Sequence, residues 1–128
     1  MAGNQKFYIC KRCGNIVGLI KDSGVPMICC GEKLTELAAN TVEASTEKHL
    51  PDVTYSGGTL SVQVGSVLHP MEEGHHILFI YVETEKGGQR KGLKVGEEPK
   101  ATFAFSDDKP VAAYAYCNLH GLWKTEIK

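Results

Sequence analysis

The sequence predicts an all-β protein in two parts, a small metal-binding domain of tight strands and turns followed by an antiparallel β-sandwich. Four of its five cysteines fall within residues 10–30, among short apolar runs broken by glycines. Beyond His49, short stretches that alternate apolar with polar residues recur at hairpin spacing. Scarcely any segment carries a helical period, so strands account for nearly all of the expected regular structure.

The first domain spans residues 1–37. Phe7-Tyr8-Ile9, Ile16-Val17 and Val25-Pro26-Met27-Ile28 read as short strands, with Gly14, Gly18, Gly24 and Gly31 as turns between them. Residues 38–48 are small and polar and form a linker, with one helical turn expected over Val42–Glu47. The second domain spans residues 49–128. It opens with a hairpin, Val53–Tyr55 and Leu60–Val64 about Ser56-Gly57-Gly58, where Leu60, Val62 and Val64 alternate with Ser61 and Gln63 as on a half-buried strand. A longer strand is expected over His76–Thr84, apolar on both faces in its middle. Gly87-Gly88 turns it toward Arg90–Leu93; Thr102–Phe105, Val111–Tyr116 and Leu122–Ile127 complete the sandwich.

A first domain of this size buries too little apolar surface to fold alone, because chains below about 40 residues need disulfides, metals or oligomerisation. Fourteen Lys and Arg against fifteen Asp and Glu offer no basic footprint, so no nucleic-acid partner is expected. The opening Met-Ala-Gly-Asn-Gln-Lys lacks the apolar run of a secretory signal. No stretch approaches the roughly 18 apolar residues that cross a bilayer, so the expectation is a cytoplasmic protein without membrane association. In a reducing compartment, cysteines at Cys-x-x-Cys spacing are metal ligands before they are disulfides.

Cys10 and Cys13 sit at that spacing, and Cys29 and Cys30 are adjacent. Neighbouring side chains on extended backbone point to opposite faces, so one ion takes both sulfurs of the second pair only where the chain bends. Thiolate tetrahedra suit zinc and iron alike. A second constellation comprises His49, His69, His75, His76, Cys117 and His120. Nitrogen donors joined by one thiolate suit a redox-active iron or copper better than a closed structural zinc. Of the adjacent His75 and His76, only one reaches a metal from an extended backbone. Glu47 and Lys48 precede His49; taken alone, such an exposed pair is a solvated loop.

Tyr8-x-Cys10-x-x-Cys13-Gly14-Asn15 with Cys29-Cys30-Gly31 resembles desulforedoxin. Glu47-Lys48-His49-Leu50-Pro51, His69-Pro70-Met71-Glu72-Glu73-Gly74-His75 and Cys117-Asn118-Leu119-His120-Gly121 resemble neelaredoxin. The whole chain thus resembles the desulfoferrodoxin family, the two-iron class of superoxide reductase. The resemblance implies a tetrahedral iron on Cys10, Cys13, Cys29 and Cys30, and an immunoglobulin-like sandwich carrying a square-pyramidal iron with His49, His69, His75 and His120 equatorial and Cys117 axial. The sixth position would admit superoxide, which takes one electron and leaves as hydrogen peroxide without release of dioxygen, a detoxification suited to oxidative stress in an anaerobe. It further implies a homodimer, a rubredoxin-like electron donor, a steering and proton-organising role for Lys48 on a mobile loop, and a Glu47 that occupies the vacant position of the oxidised iron. Several relatives carry glutamate two residues before the axial cysteine, where this chain has Ala115. The alternative is a non-haem iron electron carrier that binds no substrate, its sixth position filled permanently by the protein.

Overall fold

The computed structural model describes residues 2–128. It divides into two compact units, Asn4–Ala38 and a larger one of Ala39–Lys128 with Ala2 and Gly3. No helix among the described residues is long and apolar enough to cross a membrane.

The small unit holds β1 (Lys6–Ile9), β2 (Ile16–Leu19), β3 (Ile28–Cys29), β4 (Glu32–Lys33) and β5 (Thr35–Glu36), arranged as an antiparallel sheet β2-β1-β5 and a separate β3-β4 hairpin. Among its described residues only Phe7 and Cys10 are buried apolar side chains. So thin a core cannot outweigh the entropy of ordering the chain, and ligation by the four cysteines must supply the rest. The strand expected over Val25–Ile28 shrinks to Ile28–Cys29. Pro26 has no N–H for a ladder, and Val25 and Ile28 point largely into solvent instead of into a core.

The large unit begins with α1 (Thr46–His49), one turn displaced toward the C-terminus from the expected Val42–Glu47. Its displacement follows from its anchors: the Leu50 amide donates to the Thr46 carbonyl, and the Val67 amide takes the Glu47 carbonyl from outside the turn. Then come β6 (Pro51–Ser56), β7 (Thr59–Val64), β8 (Ile77–Thr84), β9 (Gly88–Gly92), β10 (Lys100–Ala104), β11 (Pro110–Cys117) and β12 (Gly121–Glu126). They form two antiparallel sheets, β10-β7-β6 and β12-β11-β8-β9. This is the two-sheet plan of an immunoglobulin-like sandwich.

The core lies between the sheets. Leu60, Val62 and Val64 from β7 meet Ile77, Ile80 and Val82 from β8, Phe103 from β10, and Ala113, Ala115 and Cys117 from β11. Alternation along β7 places its three apolar residues inward and Ser61 outward, as the period-two pattern requires. Every residue of β11 is buried, because this strand has neighbours on both edges. Strand register brings several segment ends together: Pro51 pairs with Val64, and Cys117 pairs with both Ile77 and Gly121. Three connections, α1–β6, β7–β8 and β11–β12, therefore meet at one end of the sandwich.

The C-terminal edge is tied to the start of the large unit. The Glu126 carboxylate accepts from the Gly3 amide at 2.9 Å and pairs with the Lys124 ammonium at 2.8 Å, contacts that hold its pKa below the usual 4.5, the Lys124 hydrogen bond chief among them. A depressed carboxylate stabilises the fold fully above its unfolded pKa and loses that support as pH falls through the folded value. Urea titrations should show Glu126→Gln less stable than the parent at neutral pH by under about 1 kcal/mol, since the pair is partly exposed. The gap should close once acid has protonated Glu126; a pH-independent gap would refute the attribution.

Candidate metal centres

Cys10 follows β1 directly, and a tight turn carries the chain to β2: the Cys10 amide donates to the Asn15 carbonyl and the Gly14 amide to the Cys10 carbonyl, both at 2.8 Å. Gly14 accepts the left-handed φ of 85° that closes the turn. The opposing pair lies on the β3-β4 hairpin, where Cys30 itself takes φ 54° and Gly31 follows at 75°. That left-handed residue is the bend that adjacent ligands require, and it swings both sulfurs to one side. Donor atoms of Cys10, Cys13, Cys29 and Cys30 all lie within 4.8 Å of one another. Cys13 and Cys29 sulfurs are 3.6 Å apart and those of Cys29 and Cys30 4.0 Å. A tetrahedron with sulfur about 2.3 Å from its centre has edges of roughly 3.8 Å, so the set fits a metal. None of the cysteines is in a disulfide.

Amide donation from Cys13 draws the Cys10 thiol down to about 6, whereas Cys30, crowded by the sulfurs of Cys10 and Cys13, is pushed up to about 12. The Cys10 thiolate forms readily, and the Cys29 and Cys30 thiols resist joining it. A bound cation removes that resistance.

The second cluster occupies the end of the sandwich where the connections meet. His49 closes α1, His69 and His75 lie between β7 and β8, Cys117 ends β11, and His120 sits in the β11–β12 hairpin. The His49 Nδ1–H donates to the Ser45 carbonyl at 2.6 Å and the His69 Nδ1–H to the Pro70 carbonyl at 2.7 Å, so both rings present a bare Nε2 inward. These two nitrogens are 3.2 Å apart, and His120 Nδ1 lies 3.1 Å from the His49 Nε2. His75 adds a buried Nε2 without any partner. Lone pairs facing one another away from water repel, and a cation among them is what satisfies all at once. Donor atoms of His49, His69, His75 and Cys117 fall within 4.8 Å of one another, with His120 at the edge of the set, its Nδ1 3.8 Å from the Cys117 sulfur.

Burial, followed by the neighbouring imidazoles, lowers His69 to about 4, and burial likewise lowers His49 and His75, which keeps all three neutral as ligands must be. Burial also raises the Cys117 thiol, opposed by the amides of His120 and Leu119; the His120 amide donates at 3.4 Å. The Asn118 amide, by contrast, turns away from the sulfur. It donates to the His76 carbonyl at 3.1 Å.

His76 stays outside the cluster, its Nδ1 turned to the Glu72 carbonyl. Glu47 and Lys48 lie exposed on the helical turn of α1. The Lys48 charge bears on His49 and His75, lowering both. Ala115 is fully buried in the core on the same face of β11 as Cys117, so no carboxylate approaches the sulfur from there.

Two contributors escaped the sequence. Trp123 stacks on the His49 ring with centroids 5.0 Å apart and donates its indole N–H to the His120 carbonyl at 3.1 Å. The Asn118 side chain accepts from the His76 amide at 2.8 Å and donates to the Gly74 carbonyl at 3.1 Å, tying the His75 segment to the Cys117 hairpin. Its position between Cys117 and His120, in a turn needing side-chain bonds, was the one available signal.

A model of the family described as Desulfoferrodoxin matches residues 41–126. A desulfoferrodoxin homolog from Archaeoglobus fulgidus is 43% identical over 121 residues, covering 94% of this chain and 96% of the relative. A desulfoferrodoxin from Nitratidesulfovibrio vulgaris is 40% identical over 126 residues, covering 98% and 99%. Among solved structures, the superoxide reductase from Treponema pallidum superimposes with a TM-score of 0.82 at 37% identity, over 97% of this chain and all of that one.

Asn118→Ala removes both bridging bonds and leaves their backbone partners unsatisfied, which should cost about 1–3 kcal/mol in urea unfolding. Asn118→Asp, which keeps the acceptor for the His76 amide, should recover part of the loss. Equal stability of all three chains would show the bridge to be idle.

Proposed function

This chain belongs to the desulfoferrodoxin family, and from that premise we propose how its residues divide the work. It is a superoxide reductase with two iron centres, one on cysteine sulfurs and one on imidazoles with a thiolate. Ferrous iron bound at the second supplies the electron that, with two protons, turns superoxide into hydrogen peroxide, and no dioxygen is released. The observation that carries this activity is the buried set of imidazole nitrogens facing one another beside the Cys117 sulfur. An electron carrier that turns over no substrate is disfavoured, since the similar solved chain is named a superoxide reductase.

Cys10, Cys13, Cys29 and Cys30 hold the first iron; His49, His69, His75, His120 and Cys117 hold the second. Residues 1–37 thus serve the first iron, 38–48 bring in the catalytic turn, and 49–128 carry the second. Ser45, Pro70 and Trp123 orient the rings, through the contacts already described. The amides of Leu119 and His120 moderate the charge on Cys117. Lys48 draws the anion toward the site and organises the water that delivers protons to the departing oxygen. Its influence on His49 and His75 supports this role. Glu47, adjacent on the same turn, is the exchangeable carboxylate that occupies the site between turnovers.

Ile20, Val25 and Ile28, which the small unit leaves 100%, 73% and 63% exposed, support a homodimer in which a second copy covers them. A rubredoxin-like protein is the proposed electron donor, and the cytoplasm, whose reducing poise keeps the five cysteines as thiols, the proposed compartment.

Lys48→Ala should slow superoxide capture roughly threefold to tenfold at low salt and flatten its ionic-strength dependence, with Lys48→Arg near the parent. Unchanged rate and unchanged salt response, followed by pulse radiolysis, would overturn the assignment. Cys13→Ser should abolish the thiolate–iron absorption of the first centre while superoxide consumption with a chemical reductant continues, because every residue assigned to the reaction lies in the larger unit. Loss of both together would contradict that division.

A further inference from the structure

We propose that Gly65, Ser66 and the Val67 amide form a latch on the carbonyl of Glu47, and that this latch holds the turn carrying Lys48 against the histidine site. The inference rests on the reading that Lys48 serves that site.

Glu47 and Lys48 are exposed, and α1 is a single turn whose N-cap residue Ser45 makes no side-chain capping bond. A turn this short has no stability of its own, so something outside it must fix where Lys48 stands. The segment between β7 and His69 does so. The Glu47 carbonyl accepts from the Val67 amide at 3.0 Å and from the Ser66 hydroxyl at 3.2 Å. Gly65 makes the approach possible: a Cβ there would stand 2.5 Å from the Glu47 oxygen and 2.8 Å from the Lys48 carbonyl carbon, and neither atom belongs to a flexible side chain.

The latch is itself pinned from behind. The Gly65 carbonyl accepts from the Gln63 side chain at 2.8 Å, and the His69 amide donates to the Val64 carbonyl at 2.8 Å. One five-residue connection therefore carries a ligand at its end and grips the peptide between Glu47 and Lys48 at its start. The three are positioning residues: they act on the substrate only through Lys48 and on the site only through the turn.

Hydrogen exchange of the iron-loaded protein tests the grip directly. Gly65→Ala should speed exchange at the Val67 amide and across residues 46–49 by more than Ser66→Ala, which should give roughly fivefold to tenfold, while the β11 amides keep the parent rate. Ser66→Thr, which retains the hydroxyl, should restore slow exchange. In superoxide capture, Ser66→Ala should flatten the salt dependence toward that of Lys48→Ala, and Ser66→Ala with Lys48→Ala should go no further than Lys48→Ala alone. Parent-like exchange in both Ser66→Ala and Gly65→Ala overturns the latch, whatever the kinetics. Failure of the Lys48 assignment reads differently: exchange then rises in the latch variants, but Lys48→Ala leaves capture and its salt response unaltered. Should Gly65→Ala fail to fold, Ser66→Ala and its threonine rescue decide the question alone.

Discussion

Unshared lone pairs turned toward one another inside a protein are a demand that the protein cannot meet by itself. At the end of the sandwich, His49 and His69 each commit one ring nitrogen to a backbone carbonyl and thereby strip the other of its proton, leaving two acceptors 3.2 Å apart with the orphaned His75 Nε2 nearby. A divalent cation resolves this and a proton does so poorly, because burial lowers all three imidazoles. Much of the surrounding architecture serves to hold that arrangement: the register that aligns Cys117 with Ile77 and Gly121, the indole under His49, and the Asn118 bridge between hairpins.

The two centres solve opposite electrostatic problems. Four sulfurs gather where only Phe7 and Cys10 are buried, so ligation is a large part of what holds the small unit together. In the large unit a continuous core already exists, and the imidazoles are mounted on loops at its rim. Structure precedes the metal there. That order matches the duties of a site that must admit a small anion and release its product without letting the frame give way.

The sandwich was legible because period-two alternation survives wherever one face is buried, as Leu60, Val62 and Val64 show. Strand ends were less so: β9 begins at Gly88 and β10 at Lys100, both polar edges with no apolar signal. The bend between Cys29 and Cys30 was legible from geometry alone, since adjacent side chains cannot share an ion on straight backbone. The helical turn was misplaced because its position depends on the Val67 amide, far along the chain. Trp123 is a core residue, and its second duty against His49 depends on β12 lying beside the ligand loops, which no local pattern encodes.

Cys117 ends a strand buried along its whole length, and its residue has no exposed surface. This enzyme makes an oxidant within reach of its own thiolate, and thiolates are what hydrogen peroxide attacks first, climbing from sulfenic toward irreversible sulfonic acid. A sulfur sunk in the core and shared with two amide donors gives free peroxide in solution neither access nor an unencumbered lone pair. Cys13 and Cys30 of the small unit stand exposed and have no such shelter. Chemical ageing of the protein would thus start at the exposed cysteines of the small unit and leave the working centre until last.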